Sequence, residues 1–119
     1  MLHVQIFGVQ KSAATRAAER FFKERRISIQ FVDLKKKAMA AGEIKRFIDR
    51  FGLEQLVDTK SAAYVDAGLQ YLKLSEAELL QRMEQDPMLM RLPLVRCANR
   101  LSVGQDDAAW KAMLEETGR

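Results

Sequence analysis

Sulfhydryl and imidazole groups are nearly absent from this chain. Of its 119 residues one is cysteine, Cys97, and one is histidine, His3. A single cysteine excludes an internal disulfide, a cysteine-rich zinc site and an internal two-cysteine redox switch. A single histidine excludes a histidine-rich metal centre, so no metal is expected. Long apolar runs are missing too. None exceeds five residues, against the ~20 that a membrane-spanning helix needs. Met1 to Gln5 contains no basic segment leading into a hydrophobic stretch, so neither a signal peptide nor a membrane partner is expected. These absences lead to the expectation of a reducing, cytoplasmic setting. What is present is ordinary for a globular domain: 48% hydrophobic and 30% charged residues in 13.6 kDa. One domain of that size buries roughly two-thirds of its unfolded surface and requires no covalent staple.

Charge is unevenly distributed. Residues 1–60 carry 13 Lys and Arg against 7 Asp and Glu, whereas residues 61–119 carry 7 against 9. The basic front half invites a nucleic-acid reading. The competing reading is that Lys23, Arg25, Arg26 and Lys35-Lys36-Lys37 are solvated helix ends and loops. No exposed aromatics are interleaved with them and no recognisable DNA- or RNA-binding motif accompanies them, which favours the solvated reading.

Leu2 to Phe7 alternates and is rich in β-formers, so the pattern predicts a strand, followed by a short loop from Gly8 to Lys11. Ala14, Ala17, Ala18, Phe21 and Phe22 then recur at helical spacing, with Ser12 as N-cap. Ile27 to Leu34 alternates again, with Ile27, Ile29 and Phe31 inward. Strand, helix and strand within about 33 residues form a βαβ unit with parallel strands. The middle is helical: Glu43 to Phe51 closed by Gly52, Leu53 to Leu56, Ala62 to Ala67 closed by Gly68, and a helix opened by the capping-box spacing Ser75 to Glu78 and closed by Asp86-Pro87. Pro93 to Cys97 and Arg100 to Val103 read as a hairpin about Ala98-Asn99. Asp106-Asp107 opens a last helix carrying Trp110, Met113 and Leu114. Met83, Met88, Met90, Trp110, Phe21 and Phe22 are read as core. This order predicts an α/β, thioredoxin-like chain: a four-stranded mixed sheet with a helical insertion, forming one domain with its core at about 1–38 and 88–116 and the insertion at about 39–87.

Ile6-Phe7-Gly8-Val9-Gln10-Lys11-Ser12 with Thr15-Arg16-Ala17, Phe31-Val32-Asp33-Leu34, Asp58-Thr59-Lys60, Asp86-Pro87 through Val95, and Asn99 to Gly104 before Asp107-Ala108-Ala109-Trp110 resemble the ArsC/Spx family, including its YffB-like branch. The resemblance spans nearly the whole chain and implies a thioredoxin-like fold of the glutaredoxin/ArsC type. In the family's reductases a cysteine at the mouth of the first helix attacks arsenate or forms a mixed disulfide with glutathione. That position falls on Ser12. The arginine preceding the family's proline falls on Leu92, with Arg91 beside it, and the arginine found in some reductases ahead of Thr-Lys falls on Asp58. Arg16 keeps the basic position after the nucleophile site.

A serine hydroxyl cannot enter thiol–disulfide exchange and becomes a nucleophile only beside a base. His3 precedes Phe7 by about 13 Å of strand, well away from Ser12. No catalytic residue is therefore assigned. Lys11, Ser12, Thr15 and Arg16 remain candidates for binding a small anion, because backbone N–H groups at a helix N-terminus favour negative charge. Their alternative is a plain cap flanked by solvated cations. Pro93 resembles the family's cis-proline, which implies a groove of Gln10, Arg91, Leu92 and Pro93 able to take a protein partner by strand addition. Spx-type relatives bind RNA polymerase, so the resemblance makes a transcription-related partner conceivable. Cys97 reads as buried filler. The expected function is that of a family member lacking the redox cysteine, a non-catalytic binding module without cofactor. The rival is a glutathione- or thiol-dependent reductase of the arsenate reductase type, for which glutathione would be required.

Overall fold

The computed structural model describes residues 3–117. The chain divides into two compact units, Lys35–Arg91 and the stretches that flank it.

The flanking unit is built on β1 (His3–Gly8), α1 (Ala13–Glu24), β2 (Ser28–Asp33), β3 (Leu94–Cys97), β4 (Arg100–Val103) and α6 (Asp107–Thr117). The strands form one sheet in the order β2-β1-β3-β4. β1 and β2 run parallel from His3 opposite Ser28 to Gly8 opposite Asp33, while β3 is antiparallel to both β1 and β4. Period-two alternation puts Val4 and Ile6 of β1 on the same face as Val95 and Cys97 of β3. Against that face pack Ala18, Phe21 and Phe22 of α1 and Trp110 and Met113 of α6. Three aromatic rings knit the helices together, with centroids 5.0 Å apart for Phe21 and Phe22, 5.5 Å for Phe21 and Trp110 and 6.2 Å for Phe22 and Trp110. The Trp110 indole cannot leave its N–H unpaired when buried, and Nε1 donates to Ser102 Oγ at 3.1 Å.

Ser102 is 1% exposed, so the β4 position facing the core is polar because the indole needs an acceptor there. The helix α1 ends at Glu24, short of the basic pair that follows. Arg25 turns back, donating to the Phe21 carbonyl at 2.9 Å and lying 3.8 Å over its ring. β3 begins at Leu94 rather than Pro93, which has no N–H to give to a ladder. The β3–β4 connection turns on Ala98, which takes a left-handed backbone (φ 54) where asparagine or glycine is the usual choice. The strand expected from Leu2 starts at His3, and Leu2 itself lies outside the described residues.

The unit Lys35–Arg91 contains α2 (Ala41–Phe51), α3 (Leu53–Leu56), α4 (Ala62–Asp66) and α5 (Glu76–Gln85). Ile44, Phe47 and Ile48 form the buried face of α2, and the helix stops at Gly52, whose φ of 88 suits glycine. Ser75 and Glu78 make the reciprocal capping box that starts α5. The bonds to Ser75 hold the Glu78 carboxyl below its ordinary range, chiefly through the Ser75 backbone N–H. Asp58 N donates to Leu89 O and Arg91 N to Leu56 O, each at 2.8 Å, which ties the C-terminal end of the unit to the segment after α3. Two 3-10 turns, Leu69–Tyr71 and Pro87–Leu89, were not foreseen from periodicity. Local capping explains both: Gly68 is left-handed before the first, and Asp86 accepts from Met88 N in the second.

Candidate functional site

The site begins where β1 gives way to α1. Ser12 is extended (φ −78, ψ 120), its N–H donates to Val9 O at 3.1 Å, and its Oγ accepts from Thr15 N at 3.2 Å. The hydroxyl oxygen is thus the N-cap of α1, a role worth about 1 kcal/mol. Lys11 is exposed and Ser12 half-buried, while Thr15 is fully buried. Thr15 Oγ1 finds no hydrogen-bond partner. Its position is dictated by Gly8: a β-carbon built there would stand 2.5 Å from Thr15 Oγ1 and 2.7 Å from Cγ2. Gly8 is therefore required for space, since the first turn of α1 occupies the volume that any other side chain would claim.

Arg16 does not reach over the helix mouth. Its guanidinium donates to the Gln10 carbonyl at 2.7 Å, strapping the loop to the first turn. Gln10 Nε2 in turn donates to Glu19 Oε1 at 3.2 Å, and Lys23 Nζ lies 3.9 Å from Glu19 Oε2. These side chains line a cleft of about 440 Å³ along the outer flank of α1, together with Arg20 and Glu24. Sequence reasoning did not identify this cleft, although Arg16, Arg20 and Lys23 at helical spacing were a readable signal.

The Leu92–Pro93 peptide is cis, and Pro93 O accepts from Gly104 N at 2.9 Å. Leu92, Pro93 and Leu94 are all buried. Arg91 belongs to the other unit and its side chain is exposed. Asp58, also in that unit, accepts from Lys60 N at 3.1 Å through its carboxylate, a turn-forming role. His3 stands at the opposite end of β1 from the helix mouth, exposed, with Nδ1 3.4 Å from Ser28 Oγ. Cys97 is 2% exposed within the core, and burial pushes its thiol pKa up. Among the described residues no group of three or more His, Cys, Asp or Glu could hold a metal ion. No described helix is long and apolar enough to cross a membrane.

A βαβ unit joined in one mixed sheet to a β-hairpin and closing helix, with a cis-proline leading into the hairpin, defines the thioredoxin-like class. Within that class the chain belongs to the ArsC family, which it matches over residues 7–113. Among solved structures it is similar to the YFFB protein, with a TM-score of 0.85 at 19% identity over 93% of this chain and 98% of that one. It is also similar to an arsenate reductase from Vibrio cholerae, with a TM-score of 0.77 at 20% identity over 96% of this chain and 97% of that one. Likeness at this level of identity carries the fold and not the activity. No curated protein matches the sequence.

Proposed function

We propose that this ArsC-family chain is a binding module and not a thiol reductase, working in a reducing cytoplasmic setting. In this reading Lys11, Ser12 and the backbone N–H groups of the first turn receive a small anion or an acidic group of a protein partner at the mouth of α1, with the backbone around Gln10, Leu92 and Pro93 as the docking margin.

One observation carries the proposal. The chain's only thiol, Cys97, is buried in the core with a raised pKa, while the helix mouth presents a serine whose oxygen is already used as a cap. A thiol held neutral and inaccessible is a poor nucleophile. Glutathione has no sulfur at Ser12 with which to form a mixed disulfide, and no imidazole base stands beside that hydroxyl, because His3 begins the strand whose far end leads to it. The backbone N–H groups at the mouth and the exposed Lys11 beside them do not depend on a cysteine, and they suit an anion.

Two measurements test this. Arsenate reduction is assayed with glutathione and glutaredoxin, and orthophosphate is titrated into the labelled protein with amide shifts at residues 10–16 as readout. The expected result is no turnover, with saturable shifts that the Lys11→Ala variant loses. Turnover abolished by Ser12→Ala would establish the rival reading, a glutathione- or thiol-dependent reductase. Shifts that never saturate would remove the anion site.

A further inference from the structure

The cleft on the outer flank of α1 holds more charge than its own contacts consume. Glu19 is satisfied internally: its side chain is 14% exposed, it accepts from Gln10 Nε2, and Lys23 stands over it. Arg16 gives one donor to the Gln10 carbonyl, which leaves others of the five on its guanidinium for a ligand. Arg20 lines the same cleft and has neither an ion pair nor a side-chain hydrogen bond among the described residues. The two arginines stand one helical turn apart on a single face of α1, their backbone positions separated by about 6 Å along the axis. Carboxylates on residues i and i+2 of an extended peptide lie about 6.7 Å apart, a span that long side chains based one helical turn apart can serve.

We propose that this cleft is the docking groove for an acidic, extended segment of a protein partner, with alternate Asp or Glu side chains engaging Arg16 and Arg20. The inference rests on the binding-module reading and supplies the chemistry of the partner. Two features favour a peptide over a nucleic acid. Glu24 closes the C-terminal end of the groove, where its carboxylate repels the next phosphate of a uniformly anionic strand but accepts a peptide N–H or a basic side chain. Among the described residues of the flanking unit, none is an exposed large hydrophobic that could serve as a platform for base stacking.

The test uses the full chain and a fluorescein-labelled, end-capped octapeptide with Asp at alternate positions. Its Asn counterpart and a single-stranded oligothymidylate serve as comparisons, and binding is read by anisotropy at low salt. The acidic peptide should bind saturably and the Asn peptide should not. Arg20→Glu should weaken binding by about tenfold or more, the scale of replacing a charge-assisted contact by repulsion. Lys45→Ala, an exposed cation of the other unit, should leave it within about twofold, because a charge outside the groove contributes little. Absence of binding overturns the proposal, as does an unchanged affinity in Arg20→Glu or equal affinity for the oligothymidylate. Loss in Lys11→Ala with no loss in Arg20→Glu would place the peptide at the helix mouth, overturning the groove while leaving the binding-module reading intact. Conversely, failure of the orthophosphate titration with peptide binding retained would remove the mouth site and keep the groove.

Discussion

Replacing Gly8 by alanine tests how the helix mouth is built. The added β-carbon meets three atoms of one residue: Thr15 Oγ1 at 2.5 Å, Cγ2 at 2.7 Å and Cβ at 3.1 Å. Thr15 is fully buried and sits in the first turn of α1, so it cannot swing into solvent. The clash must be relieved by moving the helix or the strand, and overpacking of this kind costs about 2–3 kcal/mol. Thr15→Ala alone removes a buried methyl, worth about 1 kcal/mol, and also removes a hydroxyl that is buried without a partner, which offsets part of the loss. In the double variant the two nearest atoms are gone and only the 3.1 Å approach to Cβ remains. Gly8→Ala/Thr15→Ala should therefore be more stable than the sum of the single changes by about 1–2 kcal/mol. Urea unfolding followed by Trp110 fluorescence reads each stability, and the coupling corresponds to roughly 4–8 °C in thermal midpoint for a domain of this size. Additivity within about 0.5 kcal/mol would refute the claim that glycine stands at position 8 to make room for Thr15.

Ser102→Ala should cost about 1–3 kcal/mol, because it leaves the Trp110 indole N–H buried without an acceptor; denaturant melts check this, and a neutral result would mean that the indole bond contributes nothing. Ala98→Gly should stabilise by about 1 kcal/mol, since the left-handed φ of 54 strains an L side chain; a loss of stability would show that the turn does not hold that conformation. Native Cys97 should resist a thiol reagent that reacts at once after denaturation, and fast modification of the folded protein would contradict its burial. The same burial has a pH signature. The folded thiol keeps its proton above the unfolded pKa of about 8.5, so its stabilising contribution is complete below that pH and is lost as pH rises further, by at most about 1.4 kcal/mol per pH unit. Comparing wild type with Cys97→Ala across pH 8–10 isolates this effect, and parallel curves would refute it.

Features that depend on neighbours along the chain are legible in the residues alone. Ser12, Ser75 with Glu78, and the glycines at 52 and 68 are caps whose partners lie within four residues, and each is visible as spacing. The period of apolar residues likewise marked Ala18, Phe21 and Phe22 as one buried face, and the βαβ order with a later hairpin specified the mixed sheet. Tertiary structure decided what depends on direction and proximity. No pattern told that Arg16 would turn aside to the Gln10 carbonyl, six residues back, and line a flank cleft instead of covering the helix mouth. Nor could spacing reveal that Gly8 is vacant because Thr15 fills its place, or that Ser102 faces inward to receive an indole N–H. Periodicity says which side of an element is apolar. Only packing says which atoms on that side meet, and at the mouth of α1 it is those meetings that set the chemistry.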